Sequence, residues 1–207
     1  METNWAEENL QTIRTLMERS AVYRRALAPI MLFAGVLGIL AAATGLLFHL
    51  DSTRTFGVLW LGTAAFVIAG AFLIARRQAL KDHEKFWSPP TRRVALALVP
   101  PLLAGFCVGG ISVFFPEAEK EVDFYSTIVW MMFYGCALHA AGFFMPRGIK
   151  IFGWLFIASA GGFFYLFALE YLHAGFSAHW LMGFFFGVLH LAYGAYLYLT
   201  EKKNPVA

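Results

Sequence analysis

Residues 180–194 read WLMGFFFGVLHLAYG. Wound as a helix, this stretch is apolar all round and leaves no face for water, the pattern of a segment buried in a large core or in lipid. His190 interrupts it. An imidazole at that depth costs free energy unless something pairs with it, so the ring is expected to turn away from lipid and toward neighbouring helices.

The rest of the chain extends this reading. Of 207 residues, 59% are hydrophobic and 14% charged, more apolar surface than one soluble core of this size can hide. The 22 Phe, 6 Trp and 8 Tyr suit lipid-facing surfaces and interfacial belts. A net charge of +3 is too small and too unevenly placed for a nucleic-acid surface. Cys107 and Cys136 both lie in apolar runs, which argues against a disulfide framework.

A hydrocarbon core takes about 20 helical residues to cross. Six stretches qualify: Ala26 to Leu50, Phe56 to Ala75, Val94 to Phe115, Tyr125 to Phe144, Ile151 to Leu172 and Trp180 to Leu199. The expected fold is all-α, a polytopic integral membrane bundle of six transmembrane helices. It divides into a cytoplasmic amphipathic helix at 1–25, the bundle at 26–199 and a cytoplasmic tail at 200–207. No short apolar run with a cleavage site opens the chain, so no signal peptide is expected. If six spans alternate, every Lys and Arg except Arg54 and Lys120 falls on one side, which the positive-inside rule makes cytoplasmic. That places both termini inside and points to a bacterial cytoplasmic (inner) membrane.

An internal echo suggests how the spans are grouped. ALAPIMLFAGVLGI from Ala26 and ALVPPLLAGFCVGGI from Ala97 share Ala-Leu-x-Pro behind an arginine pair, a period of roughly 70 residues. WMMFYGCALHAAG from Trp130 matches WLMGFFFGVLHLAYG from Leu-His onward. Three pseudo-repeated helical hairpins entering from the cytoplasm would produce both echoes; shared composition would as well. Small-residue stretches such as GILAAATG would pack helices within the chain or between copies, leaving room for a homo-oligomer.

Two flanking elements are expected on the cytoplasmic side. Ala6, Leu10, Ile13 and Met17 recur at helical spacing, giving an interfacial helix that anchors the chain or docks a cytoplasmic partner. ARRQALKDHEKFW should continue the second span until Ser88-Pro89-Pro90 stops it. Pro100 and Pro101 remove donors inside the third span and are expected to kink it.

Candidate functional groups are few. His139 and His190 stand at comparable depth on the fourth and sixth spans. They would hydrogen-bond across helices to Tyr134, Tyr193 or backbone groups, line a path for a solute or proton, or ligate a haem between the two spans. Two isolated histidines are weak support for haem. Cys136 precedes His139 by three residues and shares its face, a sketch of a soft-metal site that a small buried hydrophobe would mimic. Glu170 and His173 have Glu-x-x-His spacing at the outer end of the fifth span, where His179 and His49 should lie level with them. They would form an outer mouth, or simply meet headgroups and water. No phosphate loop, His-Glu-x-x-His helix or Gly-x-Ser-x-Gly elbow occurs, so no enzyme activity is assigned. The resulting expectation is a lipid-embedded protein that binds or moves a small solute, ion or lipophilic molecule in a cavity lined by His139, His190, Tyr134 and Tyr193, with Glu170 and His173 at its mouth. A haem or metal redox protein, and a structural or sensory subunit, are the competing readings.

Overall fold

The computed structural model describes residues 26–83, 85–115, 122–169 and 177–203, and these are helical with short connections. The interfacial helix expected at 1–25 and the end of the tail lie outside them, as do Glu170 and His173. The elements are α1 (Ala26–Leu47), α2 (Thr53–Lys81), α3 (Pro89–Phe114), α4 (Val122–Ala141), α5 (Arg147–Ala168), α6 (Ala178–Met182) and α7 (Leu189–Lys203). A wide, π-helical turn at Gly183–Val188 joins α6 to α7 into one continuous last helix.

Local chemistry sets the ends. Ser52 caps α2 by accepting the Thr55 amide at 3.2 Å, and Ser177 caps α6 by accepting the amide of His179 at 3.3 Å. At the end of α1, His49 takes a left-handed conformation (φ 49°), and the Leu50 amide reaches back to the Gly45 carbonyl at 2.9 Å. This six-to-one bond satisfies a helix-end carbonyl and fixes the direction of Leu50. α2 stops at Lys81, with His83 again left-handed (φ 54°). The Pro89-Pro90 pair therefore does not end a long second helix. It begins the third, because a proline in the first turn loses an amide hydrogen that has no helical partner there. Pro100 and Pro101 lie inside α3, which runs on to Phe114.

Among the described residues, five helices are long and apolar enough to cross a membrane: α1, α2, Thr91–Ile111 within α3, α5 and Ala178–Thr200 in the last helix. They mark an integral membrane protein. α4 is outside this set, and its position explains why. It packs against α2, α3, α5 and α6, so Ser126 and Thr127 are buried among protein groups rather than facing lipid. Trp130 on α4 donates its indole N–H to the Gly105 carbonyl of α3 at 2.9 Å.

The bundle is closed by α1 lying antiparallel to the last helix. Gly45 meets His179, Gly38 meets Phe186 and Gly187, and Leu32 meets Gly194. Missing side chains at these glycines bring the backbones together, the packing lipid-embedded helices use when hydrophobic burial cannot drive association. α4 and α5 form a second such seam at Gly135 and Gly153. The two partners of the α1 seam are the most enclosed of the apolar helices, 39% buried, whereas α2 is 6% buried and peripheral.

Candidate functional site

The interior holds two aromatic clusters, each built around a buried histidine. His190 is 2% exposed and is surrounded by the rings of Tyr134, Phe152, Phe156 and Phe186. Its Nδ1 lies 2.9 Å from the Phe185 carbonyl and its Nε2 lies 2.6 Å from the Tyr134 hydroxyl. A carbonyl can only accept, so Nδ1 carries the hydrogen and donates it. The neutral ring then offers Nε2 as acceptor, and the Tyr134 O–H donates to it. Both nitrogens are engaged, and His190 ties α4 to the last helix.

His179 forms the second cluster; from sequence it was placed only at the outer level beside Glu170 and His173, not in the interior. It is 1% exposed and packs 4.9 Å from the Phe56 ring. Trp60 donates its indole N–H to Nδ1 at 3.1 Å, so that nitrogen carries no hydrogen. Nε2–H donates to the Leu50 carbonyl at 3.2 Å. The ring thus has the opposite tautomer from His190 and joins the last helix to α2 and to the end of α1. The carbonyl it binds belongs to the residue after His49.

The other candidates are distributed differently. His139 is half-buried on α4, edge-on to Trp154 at 5.2 Å and to Phe143 at 5.5 Å, with its buried Nδ1 lacking a partner among the described residues. It shares no ring neighbour with His190. The sequence-equivalent histidines therefore sit in different surroundings, and a haem bridging them would have to displace Tyr134 or the Phe185 carbonyl from His190. Tyr193 stacks on Phe152 at 4.9 Å with its hydroxyl over Gly148, one turn from the Tyr134–His190 pair. Cys136 is half-buried. Among the described residues no group of three or more His, Cys, Asp or Glu side chains is gathered for a metal.

The wide turn separates two cavities. One, of about 660 Å³, opens between α5 and the last helix and is lined by Ser159, Phe163, Ser177, Trp180, Leu181, Phe184 and Phe185. The other, of about 90 Å³, is lined by Leu61, Pro101, Leu102, Gly105, Trp130, Phe133, Tyr134, Met182 and Phe186. Successive residues of the run Phe184, Phe185 and Phe186 thus face different spaces, and the carbonyl that holds His190 belongs to a residue on the wall of the larger one. A volume of several hundred Å³ with aromatic walls and a few polar groups is what small-molecule sites offer.

Near the α1–α2 connection, Asp123 at the start of α4 accepts a hydrogen bond from Thr53. Asp51 stands near both Asp123 and His179, so an acidic pair lies beside the second histidine cluster.

Comparison with protein-family models, with curated proteins and with solved structures gives no match for this chain.

Proposed function

We propose that this protein spans the membrane six times, with α4 as the fourth span and both termini cytoplasmic, and that it binds a lipophilic molecule in the cavity between α5 and the last helix. The carrying observation is that cavity: about 660 Å³, lined by Phe163, Trp180, Phe184 and Phe185, with the hydroxyls of Ser159 and Ser177 beside the Trp180 indole. Apolar and aromatic walls favour a guest that partitions into the bilayer over a hydrated ion, which would lose its water without replacement ligands. Trp180 and Phe184, 59% and 50% exposed, give the site a side entrance from the lipid. Tyr134 and His190 serve in this reading as the tie that holds the wall of the site, since their polar atoms are spent on each other and on Phe185. His139, Tyr193, Glu170 and His173 are left without a direct part in it. Grouping of the spans into three hairpins, a cytoplasmic partner for the N-terminal segment and self-association are compatible with the arrangement and are not needed by it.

The reading is tested by photolabelling. Purified protein in phosphatidylcholine nanodiscs is irradiated with a diazirine-bearing fatty alcohol, and the crosslinked peptides are mapped. Labels should concentrate on 159–163 and 180–185, and Ser159→Trp, which projects a bulky ring into the cavity, should remove most of them. Val188→Trp, on an exposed part of the same last helix, should leave them in place. Equal labelling in Ser159→Trp and the parent would reject the site.

A further inference from the structure

Ser159 lies about 18 Å along α5 from its first residue, at 1.5 Å per residue, near the middle of the apolar stretch. Hydroxyls on helices in lipid usually turn back onto the carbonyl one turn earlier, and this molecule does so repeatedly. Thr44 donates to the Leu40 carbonyl, Thr63 to Leu59, Thr127 to Asp123 and Thr200 to Tyr196, at 2.8 to 2.9 Å. Ser159 has no such bond, and no other partner among the described residues takes its hydroxyl. It stands instead on the wall of the larger cavity, among Phe163, Leu181, Phe184 and Phe185.

We infer that the ligand of this cavity is a planar, ring-shaped lipophile carrying a carbonyl group of the quinone kind, whose oxygen accepts the Ser159 hydroxyl while the ring packs against the phenylalanines. The inference rests on the cavity reading above and adds the chemical class of the guest. A plain acyl chain would fill the space and leave the hydroxyl unsatisfied in an apolar setting, which costs free energy. A carbonyl on a flat ring satisfies it, and ring-on-ring contacts contribute beyond the area they bury. Ser177 stands at the mouth, where its oxygen accepts the His179 amide at 3.3 Å; its own O–H stays free to donate, and the loss on Ser159→Ala tells the two hydroxyls apart.

Two probes with the same decyl tail separate the possibilities: decylubiquinone, a fully substituted ring with carbonyls that does not react readily with Cys107 or Cys136, and decylbenzene, which has a ring and no carbonyl. Binding to purified protein in phosphatidylcholine nanodiscs is read as probe retained above empty discs by chromatography, with folding of each variant checked by circular dichroism. The parent should hold decylubiquinone more tightly than decylbenzene. Ser159→Ala should weaken decylubiquinone about fivefold to tenfold, the worth of one hydrogen bond, and leave decylbenzene unchanged. Ser159→Trp should abolish retention of both. If Ser159→Trp abolishes both but Ser159→Ala changes neither, the carbonyl assignment is wrong while the cavity reading stands. If Ser159→Trp also changes nothing, the cavity reading falls and the ligand class with it.

Discussion

Tyr134 and His190 show what a single polar pair does inside an apolar bundle. Water cannot take over when one partner is removed, so the survivor is left buried and unsatisfied at a cost of about 1–3 kcal/mol. Tyr134→Phe and His190→Phe are each expected to destabilise the protein by about that amount, and the double variant by less than their sum. The coupling, read from unfolding by sodium dodecyl sulfate, should fall at about 0.6–1.7 kcal/mol, between the average and the largest of such inter-helix couplings in a lipid-embedded bundle; zero coupling would mean that the pair contributes no tie. An inward-facing His190 was legible in the sequence because a polar ring deep in an apolar run has one affordable direction. His179 was not, since at the start of a span it reads like a residue at headgroup level. Its role depends on Trp60 and Leu50, more than a hundred positions away.

The last helix explains how both histidines can be satisfied at once. Over the eleven residues from His179 to His190, an unbroken α-helix turns about 1,100° and brings them within about 20° of the same face. Yet His179 has to meet α2 and His190 has to meet α4. The wide turn at Gly183–Val188 takes up about one extra residue, roughly 100° of register, and lets each ring reach its partner. Deleting Phe184 would restore regular winding over ten residues, about 1,000°, the same offset that the wide turn creates, so both ties should survive without the turn. His190→Phe should then still cost about 1–3 kcal/mol in the deleted background in the same detergent titration; no cost there would show that the turn does more than take up one residue. Nothing in GFFFGV announces a wide turn, because its bonds have no residue preference strong enough to read and the need for it arises from two distant contacts. The glycine seams were partly visible as small-residue stretches, although their pairing was not. Gly38→Ala should cost about 1–3 kcal/mol, since its new methyl would press on the Phe186 backbone, which cannot swing aside. Gly161→Ala, with open space around it, should be neutral or gain up to about 1 kcal/mol from helix propensity. Equal effects at the two positions would contradict the close approach of α1 and the last helix.

At the scale of the whole molecule, the neighbours of a helix decide how many polar residues it can carry. α2 is 6% buried and strongly apolar because its surroundings are lipid, whereas α4 holds Asp123, Ser126 and Thr127 because its neighbours are protein. α1, 39% buried, is as apolar as α2 and packs through its glycines instead, so hydropathy finds the enclosed α1 and misses α4. Lipid embedding was readable from composition, but the place of α4 rests on which helices surround it. A crossing α4 has a testable consequence for sidedness. The connection at 48–52 should face the outside, and those around Lys85 and Phe144 should both face the cytoplasm. With Cys107 and Cys136 replaced by alanine, Phe48→Cys should react with a membrane-impermeant maleimide on intact cells. Lys85→Cys and Phe144→Cys should react only after lysis. All three positions are exposed, so access within the fold is not limiting. Labelling of Phe144→Cys on intact cells, with Lys85→Cys still protected, would mean that α4 does not cross, and the six-span arrangement would give way to one in which α4 is a buried helix that enters and leaves on the same side.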